Sequence, residues 1–444
     1  MKDSKRKAIR FDFPRSFDLA EINHVEPPND ETRSMLELIE RLYLNNRSLV
    51  TDGYDDALDH LCSLADFDVL KFPTGYEAFT WTVPEKWVVR EASITKDGET
   101  ICDFADHPLY LMSYSEPFTG RVSLDELKMH LHTNPDRPEA IPYAYSYYNR
   151  DWGMTLPYNR YQGLTEGDYE VHIDTSFEPG ELKIGELVLP GESDKSIIVS
   201  AHLDHPGQIA DGLGGVAVGL ALFKRLAAMK SRRYTYRLVI LPENIGSACY
   251  MHHYRDQFDL FEYAIFLEML TNKGRMSIQQ SKRGDTQLDG LAELAVGEHE
   301  PAYGVGPFRQ VICNDEINFD GPGIDIPTVT LTRWPYPEYH TSDDGLGALS
   351  AGYLKRSLEV CWSLVGKLES NVVPVPQYSG NLMLGPHGLY EDLNADDAVE
   401  RVMLAFDGRS TLLDISERTG LPYERVVNYA QRFLEKGLIK FQGS

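Results

Sequence analysis

No apolar run in the 444 residues approaches the roughly 20 that a bilayer-spanning helix needs, so a membrane protein is not expected. The opening stretch Met1-Lys-Asp-Ser-Lys-Arg-Lys is basic, but no apolar segment follows it, which argues against a secretory leader. Cysteine is scarce: Cys62, Cys102, Cys249, Cys313 and Cys361 are odd in number, far apart and form no CxxC pair. This argues against a thiolate zinc site or a disulfide framework and suits a reducing, cytoplasmic compartment. Internal repeats and low-complexity tracts are also missing. Positive charge is in short supply, with 43 Lys+Arg against 68 Asp+Glu and a formal net charge of −25. A polyanionic surface repels phosphate backbones and anionic lipid, so nucleic acid is a poor default partner.

The apolar share of 42% and charged share of 25% are those of a globular protein. The length calls for two or three domains. Helical spacing runs from about Glu31 to Leu64. Between about Trp81 and Tyr148 the chain turns to aromatics, prolines and short alternating runs such as Lys86-Trp-Val-Val-Arg and Leu109-Tyr-Leu-Met-Ser-Tyr, the texture of a small β-rich unit. From Tyr169 onward short apolar strands (196–200, 236–241 and 263–267) alternate with helical stretches such as Val216 to Met229. That alternation predicts an α/β fold, a mostly parallel sheet sandwiched by helices, with its chemistry at the C-terminal strand ends. The proline-bearing stretch 371–377 reads as a linker to a compact module. There Ala398–Ala405, Thr411–Thr419 and Tyr423–Glu435 read as helices before a short strand at 438–441, the winged-helix plan. The expected division is 1–80 for a helical part of the core, 81–165 for an inserted β-rich domain, 166–370 for the catalytic core and 371–444 for the winged-helix-like domain.

Three clusters of metal-compatible groups follow predicted strands. His202, Asp204, His205 and Asp211 lie in a glycine-rich loop after 196–200. Imidazole and carboxylate can hold zinc and leave a position open for water, and a carboxylate such as Asp204 can fix the tautomer of His202. Glu243, after 236–241, is placed as a general base. In Tyr336-Pro-Glu-Tyr-His-Thr-Ser-Asp-Asp, His340 can ligate with Asp343 in support; Glu268, after 263–267, is a further candidate.

The order His-x-Asp, Asp-Gly-x-Gly-Gly, Glu-x-x-Gly-Ser and Tyr-His-Thr-x-x-Asp resembles the M28 family of zinc aminopeptidases. It is closer to a bacterial aminopeptidase-like branch that joins such a core to an inserted small domain and a C-terminal winged helix. Trp81-Thr-Val-Pro-Glu-Lys-Trp, Ile141-Pro-Tyr, Tyr147-Tyr-Asn-Arg-Asp-Trp-Gly and His205-Pro carry that likeness. The resemblance implies His202 as the first zinc ligand with Asp204 its orienting partner, Asp211 as a metal-bridging carboxylate, Glu243 as the general base and His340 as the last ligand. Where the family places a ligand glutamate after the base, this chain has Asn244, a poor ligand; Glu268 stands where aspartate is usual. His205 is the residue available to supply a missing ligand. One well-formed Zn2+ site and a weak or absent second one are therefore expected.

The function so implied is zinc-dependent amide hydrolysis, aminopeptidase-like, in which metal-activated water attacks the carbonyl and Glu243 takes its proton. The substrate is then a small peptide or other amide. Tyr336 or Tyr339 is placed to assist the oxyanion. Rivals are deacylation of an amino sugar or other small amide, and a metal-binding regulator or pseudo-enzyme acting through the winged helix. The last has Arg425, Asn428, Arg432 and Lys436 on its third helix. However, 373–444 carries 7 Lys+Arg against 10 Asp+Glu, so protein contact or homo-oligomerisation suits it better than DNA. The aromatic unit (Trp81, Trp87, Tyr147, Tyr148, Trp152) reads as structural, with walling of the cleft as the alternative.

Overall fold

The structure, a computed structural model, describes residues 30–391 and 396–442; the basic opening segment lies outside them. Two helices begin it, α1 (Glu31–Leu42) and α2 (Asp52–Leu64). The helical stretch expected over 31–64 is thus interrupted at 43–51. There Arg47 turns inward and Thr51 caps α2 by accepting the Tyr54 N–H at 3.2 Å.

After β1 (Asp68–Pro73) the chain builds a separate four-stranded antiparallel sheet from β2 (Lys86–Lys96), β3 (Glu99–Asp103), β4 (Phe118–Ser123) and β5 (Asp168–Glu178), in the order β3-β2-β5-β4. Its closing strand lies beyond residue 165, inside the segment read as core: only two residues separate β5 from β6 (Glu181–Leu189), which belongs to the main sheet. The stretch 109–114 is no strand. Pro108–Tyr110 forms a 3-10 turn, because His107 Nδ1 accepts the Leu109 N–H at 3.2 Å and the proline fixes the first position.

Apart from short helices and two-residue strands, the chain continues through β7 (Ser196–His202), α3 (Leu213–Ala228), β8 (Thr235–Leu241), α4 (Ile245–His253), β9 (Phe261–Glu268), β10 (Met276–Gln279), α5 (Gln287–His299), β11 (Gly304–Gly306), β12 (Thr328–Arg333), α6 (Ala351–Ser370), β13 (Pro374–Pro376), α7 (Ala398–Ala405), α8 (Leu412–Thr419), α9 (Tyr423–Glu435) and β14 (Ile439–Phe441). The main sheet runs β1-β6-β8-β7-β9-β12-β10-β11. Its centre, β8-β7-β9-β12, is parallel; β1 and β6 on one flank, and β10 beside β12 on the other, run antiparallel to their inner neighbours.

Strand pleating divides the core. Ile197, Val199 and Ala201 of β7, with Tyr236, Leu238 and Ile240 of β8, face α1, α2, α3, α5 and α6. Ile198, Val239 and Leu241 face the other way, onto α4 and the inserted region. Helix α3 reaches the sheet through glycine: a Cβ at Gly215 would stand 2.2 Å from Leu267 O. The C-terminal helices share the first core through Ala398, Val402, Leu412, Val426 and Phe433. Gln287 of α5 ties them down, donating to Asp414 and accepting from Asn371 and Thr411, all at 2.8 Å. The stretch expected as a linker holds β13, paired antiparallel with β14; prolines are tolerated on such an edge. Among the described residues, no helix is long and apolar enough to cross a membrane.

Candidate metal centre

Three adjacent parallel strands, β8, β7 and β9, end at one place, and each delivers a functional residue there. His202 is the last residue of β7, Glu243 follows β8 by two residues, and Glu268 is the last of β9. Asp211 comes from the β7–α3 loop. Gly212 then starts α3 at φ +102°, where a Cβ would press on the carbonyls of His202 and Asp204 at about 3 Å. His340 arrives from the loop after β12.

Asp211 is the hub. Its Oδ1 lies 3.0 Å from His202 Nε2 and 3.5 Å from His205 Nδ1, and its Oδ2 lies 3.1 Å from His340 Nε2. Glu268 Oε1 adds a fourth donor 3.3 Å from His202 Nε2. Glu243 Oε2 lies 3.4 Å from His205 Nε2. The ligand candidates His202, Asp211 and Glu268 are at most 1% exposed, whereas the Glu243 and His340 side chains keep 26% and 29% exposure and face the opening.

Asp204 does not orient His202. The β7–β8 ladder continues one residue past the strand, through Leu203 N–H to Leu241 O at 2.9 Å, and this lays Asp204 beside Glu243. Its Oδ1 accepts the Glu243 N–H at 2.8 Å and so fixes the backbone of the proposed base. The carboxylate facing His202 Nδ1 is Asp315, at 3.4 Å. Asp315 also accepts the Asn244 N–H at 2.7 Å and the Ser247 hydroxyl. Asn314 beside it donates to Glu268 Oε2 at 3.0 Å.

Asp343 is likewise not the support expected near His340. It pairs with Arg137 on the surface side, and the next residue, Asp344, is the buried one. Asp344 accepts the N–H groups of Ala210 (2.8 Å) and Asp211 (3.0 Å) and the Tyr336 hydroxyl (3.1 Å). Tyr336 is thereby spent on packing the loop, while Tyr339 stacks on His340 at 3.8 Å. The inserted region supplies a wall, through Tyr143, whose ring meets His205 and His340 edge-on at 5.3 and 5.2 Å. Ile141 to Tyr143 pairs with the His340 loop, Tyr143 N–H donating to His340 O at 2.8 Å. Trp87 and Trp152 are packed against Tyr114 and Phe118, away from this role.

Arg47 is fully buried behind the β7 loop and donates to the carbonyls of Leu42, Tyr43, Leu203, His205 and Gln208. Burial pulls its guanidinium down to about 10, against the opposing pull of Asp204, Asp211 and Asp344. The sequence reading passed over Asp315, Asp344, Tyr143 and Arg47. Only the Asp343-Asp344 doublet and Ile141-Pro-Tyr carried a signal.

Electrostatics and strain mark the same spot. Burial pushes Glu268 up to about 8 and Asp344 up to about 7. Burial alone would lower His202, but Glu268, Asp211 and Asp315 outweigh it and hold the imidazole well above its ordinary range. Asp204 Oδ2, Asp211 Oδ2, Glu268 Oε1 and Asp315 Oδ2 are buried without a hydrogen-bond donor. His205, Asn244, Met269 and His340 all have positive φ, a concentration of strain that a fold tolerates at a working site. A tetrahedral zinc ion with bonds of about 2.0–2.1 Å separates its ligand atoms by roughly 3.3 Å. The spacings of 3.0–3.5 Å from His202, His205 and His340 to Asp211 and from His202 to Glu268, all between nitrogen and carboxylate oxygen, fit that ion.

A parallel-centred sheet with histidines and carboxylates gathered at its C-terminal edge defines an α/β protein of aminopeptidase-like fold. The chain belongs to the family described as "Domain of unknown function (DUF4910)", whose model matches residues 36–371. It is 30% identical over 436 residues, 95% of this chain and all of the relative, to a Clostridium acetobutylicum protein named "Putative polysaccharide biosynthesis protein with aminopeptidase-like domain". A crystal structure of a "putative peptidase" from Clostridium acetobutylicum superimposes with a TM-score of 0.86 at 30% identity, covering 93% of this chain and 97% of that one. The zinc aminopeptidase of Bacillus subtilis shares the fold, with a TM-score of 0.56 at 13% identity over 78% of this chain and 96% of its own.

Proposed function

We propose that the chain is a zinc-dependent hydrolase of amide bonds, acting as an aminopeptidase does, with Glu243 as general base. The observation that carries this is the convergence of three imidazole nitrogens on Asp211, at 3.0 to 3.5 Å, with Glu268 3.3 Å from His202, in a buried pocket behind the partly exposed Glu243. His202, Asp211, Glu268 and His340 would hold the metal. When bound, zinc polarises a carbonyl and lowers the pKa of water.

The protein's own groups do the rest. Glu243 is the carboxylate with access to the opening, and Asp204 holds its backbone so that the side chain stands over His205. It takes the proton of the attacking water and returns it to the leaving nitrogen. The rings of Tyr143 and Tyr339 border the opening and shield it from bulk water. Metal content measured alongside hydrolysis of an amino-acyl amide panel tests the reading. Wild type is expected to contain zinc and turn over, and Glu243→Gln to keep zinc and lose turnover. Turnover by the variant would remove Glu243 as the base.

A second substrate class has a specific observation in its favour. Tyr145 is 54% exposed and stacks on Tyr147 at 4.8 Å, next to Tyr143 and hence next to the centre. An exposed ring beside hydrogen-bonding hydroxyls suits a sugar, and the curated relative carries polysaccharide biosynthesis in its name. N-acylated amino sugars therefore belong in the panel.

The C-terminal three-helix module we read as a winged-helix-like unit for protein contact, including self-association. Two of its third-helix cations are already neutralised, Arg425 by Asp396 and Arg432 by Glu391. The widely spaced thiols favour a cytoplasmic setting.

A further inference from the structure

We propose that His205 is a direct metal ligand and takes the place that Asn244 cannot fill. The inference rests on reading this centre as a zinc site. The residue that follows the base, Asn244, carries a neutral amide, not one of the thiolate, imidazole or carboxylate groups that bind zinc. Asn244 is committed through its backbone instead. Its N–H donates to Asp315 at 2.7 Å, and its carbonyl accepts from Ser247 at 3.0 Å and Asn318 at 2.9 Å. That position serves to hold the carboxylate behind His202.

His205 has the geometry Asn244 lacks. Donor atoms of His202, His205 and Asp211 lie within 4.8 Å of one another, and His202 Nε2 and His205 Nδ1 approach the same oxygen, Asp211 Oδ1, at 3.0 and 3.5 Å. These values straddle the roughly 3.3 Å edge of a tetrahedral zinc site. His205 Nδ1 is buried without a hydrogen-bond partner, a state that disfavours the fold unless something occupies it.

The backbone is arranged to put the ring there. His205 sits at φ +89°, unusual for a histidine, and Arg47 holds that conformation by donating to its carbonyl at 2.7 Å. Its other nitrogen, Nε2, faces Glu243 Oε2 at 3.4 Å. A proton on Nε2, shared toward Glu243, leaves the Nδ1 lone pair free for metal, the pairing of imidazole and carboxylate that sets a ligand's tautomer. His205 thus connects the ion to the base. One ion would then be held with His205 added to His202, Asp211, Glu268 and His340 as the groups placed to meet it.

The test reads metal, not turnover. Full-length protein is stripped by a chelator and reloaded with Zn2+ or Co2+. The readouts are elemental stoichiometry, zinc Kd by competition with a chromophoric chelator, and the visible Co2+ spectrum. The variants are His205→Asn, His205→Gln and Asn244→Gly, since asparagine and glycine tolerate positive φ. Expected are one ion per wild-type chain, a Kd raised about 100-fold or more with altered Co2+ bands in both His205 variants, and a change within about threefold for Asn244→Gly. The proposal is overturned by His205 variants that keep zinc affinity and spectrum, by two ions per wild-type chain with one lost in Asn244→Gly, or by wild type that binds no zinc. Melting of the stripped variants at the temperature of the stripped wild type separates ligand loss from misfolding. Failure of the wild type to cleave any amide would remove the hydrolase reading and leave the ligand result standing.

Discussion

His202 turns its Nδ1 toward Asp315 Oδ2, 3.4 Å away, and its Nε2 toward Asp211 and Glu268. A carboxylate on one side of an imidazole holds the proton there and keeps the opposite lone pair for a metal. Asp315→Asn keeps an acceptor for the Asn244 N–H and the Ser247 hydroxyl but removes the charge that sets the His202 tautomer. Zinc affinity is expected to fall about 10- to 100-fold with little change in the melting of the metal-free protein. Chelator competition and a thermal melt on the same preparations decide it; unchanged affinity would reduce Asp315 to a structural role.

Zinc should also be a stabiliser. The centre gathers Asp204, Asp211, Glu243, Glu268, Asp315 and Asp344 against three imidazoles and Arg47, and several carboxylate oxygens have no donor. An ion that binds only the folded state adds about 4 kcal/mol at a free concentration 1,000 times its Kd. Chelation is expected to lower the melting temperature by several degrees and zinc to restore it. A melt indifferent to both would argue that these oxygens do not meet a cation.

Much of this was legible in the sequence, and the limits have physical causes. β7, β8 and β9 each hold a short, mainly apolar run that ends at or just before a residue with lone pairs, so both the strands and His202, Glu243 and Glu268 stood out. Asp315 follows no periodic segment; it reaches His202 from a loop between β11 and β12, and a lone acid in a loop reads as solvated. Asp343 and Asp344 are chemically alike, and only the fold decides which one Arg137 takes and which is buried. Tyr143 lies far from the site in sequence and returns to it by a two-residue ladder with the His340 loop. The prolines of β13 hid a strand that needs β14, more than 60 residues later, as its partner.

Arg47 tests how the His205 loop is held. Its side chain meets five carbonyls at 2.5 to 3.2 Å, two from α1 and its end and three from the β7 loop. Arg47→Met fits the space and takes the guanidinium donor from Leu203, His205 and Gln208, while the Leu42 and Tyr43 carbonyls keep the Asn45 and Gly207 N–H groups, so a loss of about 3 kcal/mol is expected in urea unfolding. Arg47→Lys should recover only part of it, since one ammonium cannot reach both sides of the clamp. A methionine variant within 1 kcal/mol of wild type would show that water replaces the guanidinium.

Arg225 of α3 makes a prediction about acid. It is held between Glu31 of α1, at 2.6 and 2.8 Å, and Glu359 of α6, at 2.7 and 3.0 Å. The Arg225 guanidinium holds the Glu359 carboxyl below its ordinary range, although partial burial works the other way. A carboxyl depressed in the folded state contributes stability that is complete above its unfolded pKa, about 4.3, and is lost as pH falls through the folded value. Glu359→Gln should therefore destabilise the protein by about 1 kcal/mol at pH 7, and the gap to wild type should close on going from about pH 5 toward pH 3. Urea titrations across that range read it directly. A gap that stays constant with pH would mean that Glu359 contributes packing and hydrogen bonds to Arg225 but not charge.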